Sequence, residues 1–162
     1  MNDINEDTAL AIDRLTAAKN SGVFTHLPDW HLVQSEDVVK GLTALIERTR
    51  TQFQTLEASL DQTESPSWQD IMVPMEEMFH DFGSAQSRIH HLQSVCFSDE
   101  VQEAFEEVQP ALVTLGLEMG QSRKLFDALS RLKKDSNLTA TQQKVIENNI
   151  KHMHHQGVSL DG

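Results

Sequence analysis

Residues 35–60, SEDVVKGLTALIERTRTQFQTLEASL, set Val38, Leu42, Leu45, Phe53, Leu56 and Leu60 at alternating spacings of three and four, with one polar gap at Thr49. That period stacks the apolar side chains on one face of an α-helix, whereas a strand would need them at every second residue. Ser35 is a good N-cap, and Glu36 and Asp37 place negative charge at the positive end of the helix dipole. The spacing predicts a helix from about Glu36 to Leu60.

The same period continues on both sides. Downstream, Ser67 and Asp70 stand in capping-box-like positions ahead of Met75, Met78, Phe79, Phe82, Ile89, Leu92 and Val95. Pro74 lies too deep for an uninterrupted helix, so a kink or restart is expected there before a run to about Val95. Ser98 with Asp99 and Glu100 begins another helix, carried to about Lys134 by Val101, Phe105, Val108, Leu112, Leu115, Met119, Phe126, Leu129 and Leu132, with a bend at Pro110. Thr139 and Gln142 open a last helix that reaches about His155 and closes at Gly157. Upstream, residues 7–20 form a short amphipathic helix with Leu10, Ile12 and Leu15, stopped by Gly22. No alternating strand pattern, Gly-rich loop or internal repeat interrupts the series. The fold expected is all-α, an antiparallel bundle of long, Pro-kinked helices, with residues 1–23 as an N-terminal extension and 24–162 as a single helical domain.

Composition narrows the function. The 162 residues are 38% hydrophobic but 6% aromatic with no Tyr, so aliphatic side chains and Met fill the core. A formal charge of −12, with Lys and Arg scattered in twos and threes, argues against binding phosphate backbones, and no nucleic-acid partner is expected. Cys96, the single cysteine, cannot make an internal disulfide, and the acidic start lacks a signal-peptide pattern. No apolar run is long enough to span a bilayer, so no membrane partner is expected and the cytoplasm is the default location.

Histidines and their neighbours are the candidates for chemistry. The chain contains no H-E-x-x-H, the helical pattern that pairs two zinc-binding imidazoles with a general-base Glu. Glu77 and His80 form one Glu-x-x-His, where a di-metal bundle needs two. His152, His154 and His155 have spacings that do not gather three imidazoles on one helix face. Cys96 and His91 lack an orienting partner for nucleophilic catalysis, and Cys96 reads as a small buried hydrophobe. His90 or His91 suits a phosphotransfer bundle better, although Gln93 and Ser94 replace the Lys and Gly that such a motif carries. His91 is expected to be a packed, hydrogen-bonded corner residue.

Taken in order, the motifs resemble a known family. They run Leu27-Pro28-Asp29-Trp30, Ser35-Glu36-Asp37-Val38-Val39, Pro66-Ser67-Trp68-Gln69-Asp70, Val73-Pro74-Met75-Glu76 and His91-Leu92-Gln93-Ser94-Val95. Glu103-Ala104-Phe105, Gln109-Pro110, Met119-Gly120-Gln121, Gln143 to Asn148 and Gly157-Val158 then follow. This colinear series, over about residues 27–160, resembles the N-terminal helical region of the oligopeptidase A and thimet oligopeptidase family of zinc metallopeptidases. Gln93 stands where that family has Asn, and His152 to His155 replace an acidic and aromatic run.

The resemblance implies a helical wall of a channel through which short peptides reach zinc. It also implies that the zinc ligands and general base lie in a separate catalytic domain. No catalytic, cofactor-binding or metal residue is therefore assigned to this sequence, and zinc belongs to the full-length relatives. The expected role is a non-catalytic interaction or peptide-contacting module, either a piece of a longer peptidase or a stand-alone homologue. Its expected partners are peptides, the catalytic domain or another protein, with self-association as a further option.

Overall fold

The computed structural model describes residues 6–16, 33–95 and 98–158. These form α1 (Glu6–Thr16), α2 (Ser35–Asp61), α3 (Trp68–Val95), α4 (Asp99–Gly120), α5 (Arg123–Leu132) and α6 (Ala140–His155), with no strand among the described residues. The molecule is an all-α helical bundle, as the periodicity requires. Leu27 to Trp30, Gly22, Cys96 and the closing residues beyond Val158 lie outside the described residues. None of the helices described is long and apolar enough to cross a membrane.

Contacts divide the chain into two compact units. One takes the described residues up to Thr49 with Phe79–Leu112, and the other takes Arg50–Met78 with the described residues from Val113 onward. Three helices, α2, α3 and α4, contribute to both.

In the first unit α1 packs closely on α2 at a glycine. Ala11 and Leu15 are fully buried, while Leu10 is half exposed, so the inward face of α1 is rotated from the stripe that Leu10 suggested. Leu15 and the Ala11 main chain come so close to Gly41 that an added Cβ would lie 2.5 Å from Leu15 Cδ1 and 3.3 Å from the Ala11 carbonyl. A polar tie reinforces the contact. Arg14 Nη1 donates to both oxygens of the buried Asp37 carboxylate at 2.9 and 3.1 Å, and the Gln34 amide donates to Asp37 Oδ2 at 2.9 Å. Arg88, also buried, donates from α3 to the Arg14 carbonyl at 2.9 Å and so serves the last turn of α1.

The buried face of α3 runs through Ile71, Met78, Ala85, Ile89 and Leu92. Phe79 and Val95, placed in the core by the sequence pattern, are 39% and 60% exposed. Phe79 is one residue off the buried row, which turns it by about 100°. α3 also continues through Pro74, and α4 through Pro110, without a break in helical assignment. Of the kink or restart expected at Pro74, the restart does not occur.

A break falls elsewhere. The single helix expected from Ser98 to Lys134 is two, α4 and α5, separated at Gln121 and Ser122. Ser122 takes an extended backbone, accepts the Leu125 amide at 3.1 Å as N-cap of α5, and donates to Glu57 Oε1 on α2 at 2.5 Å. A cap supported by a carboxylate offsets the helical hydrogen bonds lost at the break. Further ion pairs of this second unit join Arg50 to Glu118 at 2.8 Å, Lys124 to Asp61 at 2.5 Å and Lys133 to Glu147 at 3.3 Å. α6 starts with the expected capping box of Thr139 and Gln142. It ends in a Schellman-type turn: Gly157 has φ 92°, and the Val158 amide reaches back to the Met153 carbonyl at 3.2 Å.

Two measurements test this account. Gly41→Ala improves intrinsic helix propensity by about 1 kcal/mol, yet we expect net destabilisation of about 1–3 kcal/mol by denaturant unfolding, because α1 must move to admit the methyl group. At the start of α3, Asp70 Oδ2 accepts the Ser67 hydroxyl and amide, both at 2.7 Å, and these bonds hold the Asp70 carboxyl below its usual range. A carboxylate lowered on folding stabilises above its unfolded pKa and loses that contribution as pH falls through its folded value. Ser67→Ala should therefore raise the Asp70 pKa in an NMR titration and cost about 1 kcal/mol at neutral pH, with the carboxylate's share of that loss fading in acid.

Candidate functional site

Within the second unit, α2 and the first turns of α3 flank a groove of about 340 Å³. Thr51, Gln52, Thr55, Leu56 and Ser59 line it from α2, and Asp70, Pro74, Glu77 and Met78 from α3. The helical period explains the division of labour. Leu56 and Met78 belong to the buried rows and form an apolar floor, while Thr51, Thr55 and Ser59 recur at intervals of four along the exposed side of α2.

The polar groups of this groove are mostly acceptors. The Thr55 hydroxyl donates to the Thr51 carbonyl at 2.9 Å and that of Ser59 to the Leu56 carbonyl at 2.7 Å, so both oxygens keep only lone pairs for a visitor. Pro74 has no N–H, which deprives the Asp70 carbonyl of its ordinary helical donor. Asp70 stays anionic through its bonds to Ser67, and Glu77 adds a second, exposed carboxylate. No Lys or Arg is among the lining residues.

The histidines do not assemble into a centre. His80 is exposed, with Nδ1 3.2 Å from Asp81 Oδ1, and the other Asp81 oxygen accepts Arg48 at 2.7 Å. Glu77 faces the groove, so Glu77 and His80 are drawn to different neighbours. His90 and His91 are both exposed, because the buried arc of these turns is Arg88, Ile89 and Leu92. His91, expected as a packed, hydrogen-bonded corner residue, is thus corrected in its packing: it is exposed. His90 meets Phe105 edge-on at 5.6 Å, Gln93 donates to Gln102 at 2.8 Å, and Ser94 donates to the His90 carbonyl at 2.8 Å. Neither Gln93 nor Ser94 supplies the cation that a phosphoryl acceptor would use.

At the end of α6, His154 lies edge-on to Phe126 at 4.9 Å, and His152 pairs with the Gln156 amide at 2.9 Å. His155 is exposed. Among the described residues no group of three or more His, Cys, Asp or Glu side chains is arranged to hold a metal ion. Sequence reasoning passed over Thr51, Thr55, Ser59 and Asp70. The available signal was the run of hydroxyls at every fourth residue of one helix, opposite a proline four residues after an aspartate.

Comparisons with known proteins agree with this architecture. The family model of the neurolysin/thimet oligopeptidase N-terminal domain matches residues 42–162, a span that takes in the whole groove. The probable cytosolic oligopeptidase A of Arabidopsis thaliana is 27% identical over 137 residues, covering 83% of this chain and 19% of that protein. Oligopeptidase A of Haemophilus influenzae is 28% identical, and that of Escherichia coli 26%, each over 83% of this chain and 20% of the relative. The chain thus spans about a fifth of the length of these curated relatives, at the part that the family model describes as N-terminal. By the extent of that match, the chain belongs to the neurolysin/thimet oligopeptidase N-terminal domain family.

Proposed function

We propose that this chain is a non-catalytic, peptide-contacting wall of an oligopeptidase-type protein. The observation that carries this reading is the restriction of the match to the N-terminal domain of relatives named oligopeptidases, in a sequence without H-E-x-x-H. The donor set here does not fit the zinc of such enzymes: Glu77 and His80 have different neighbours, and no group of three or more His, Cys, Asp or Glu among the described residues could hold a metal ion. The chemistry of bond cleavage then lies outside these residues, and their contribution is a surface for short peptides and for the domain that holds the metal. A groove with an apolar floor and a rim of acceptors suits main-chain N–H groups and apolar side chains of an extended peptide. The chain works in the cytoplasm on this reading.

The rival reading, phosphate acceptance on His90 or His91, draws on their exposure. It lacks a neighbouring cation in the Gln93 and Ser94 positions.

The purified chain should bind short unstructured peptides, seen as amide shifts by NMR, and should leave them intact by mass spectrometry with or without added zinc. Turnover that a chelator abolishes and zinc restores would overturn the proposal. Incubation with a histidine kinase and phosphodonor should give no acid-labile label, and labelling lost on changing His90 and His91 to Gln would favour the rival.

A further inference from the structure

The α2–α3 groove holds more information than its size. Its lining lacks any basic residue, carries the carboxylates of Asp70 and Glu77, and exposes oxygen lone pairs at Thr55 and Ser59 whose protons are already committed to main-chain carbonyls. Beneath these lies the apolar floor of Leu56, Pro74 and Met78. A ligand complementary to this lining is rich in donors, positively charged at its tip and aliphatic along its stem.

We propose that the groove binds an arginine or lysine side chain of a short peptide, the cationic head between Glu77 and Asp70 and the methylene stem over Leu56, Pro74 and Met78. This rests on the peptide-contacting reading above and sharpens it to a class of peptide. Long cationic side chains bury their stems on apolar surface while the head stays with water and carboxylates, which is the environment this groove supplies. A formal charge of −12 on the chain draws such ligands in, and the two carboxylates fix where they stop. Glu76, next to Glu77 in sequence, is not in the lining.

The test uses the full chain, the peptide acetyl-Ala-Leu-Arg-Leu-Ala-amide, and its counterpart with citrulline, which keeps the shape of arginine and removes its charge. We expect the arginine peptide to shift amides within Thr51–Ser59 and Asp70–Met78, and the citrulline peptide to bind about five-fold more weakly, the size of one partly exposed charge pair. Glu77→Gln should weaken the arginine peptide by a similar factor and leave the citrulline peptide unchanged. Glu107→Gln, which lowers the net charge equally but lies outside the groove, should affect neither. Equal binding of both peptides, or shifts confined to other helices, would overturn the groove assignment while leaving peptide contact intact. Absence of binding by either peptide would overturn both.

Discussion

Burial of one face of α2 along its whole length is the constraint on which the other helices depend. Val38, Leu42, Leu45, Phe53, Leu56 and Leu60 are all buried, and so is Thr49, which is 1% exposed although it breaks the apolar pattern. A helix of this kind cannot stand alone in water, because most helical stability comes from covering the apolar stripe. In the first unit α1 covers it at Gly41, where the absence of a side chain allows Leu15 to approach. In the second unit Glu57, further along the same helix, carries the N-cap of α5 through Ser122.

The two internal prolines show how local chemistry is redirected by packing. Proline in a helix interior removes a hydrogen bond and costs about 3 kcal/mol in isolation, yet both α3 and α4 remain helical across it. Pro74 also lines the groove, where its ring adds apolar surface. Leu56 and Met78, buried residues of α2 and α3, thus also line the groove.

Membership of an oligopeptidase N-terminal family gives this surface its context. Among the described residues no group of three or more His, Cys, Asp or Glu side chains is arranged to hold a metal ion, and His80, His90, His91, His154 and His155 are exposed.

Much of this was legible without coordinates. The 3.6-residue period of apolar side chains is a local property, so the all-α class, the α2 stripe, the capping pairs Ser67–Asp70 and Thr139–Gln142, and the close at Gly157 follow from the sequence itself. The colinear motifs likewise led to the family. What tertiary structure decided is which apolar residues find a partner: Val95 and Phe79 fit the period but face outward, because burial needs an opposing surface and not only a spacing. The break at Ser122 depended on Glu57 sixty-five residues away, and the groove on two helices laying their hydroxyls and carboxylates side by side. Interactions within a turn or two are written in the order of residues, whereas those between distant segments exist only once the chain has packed.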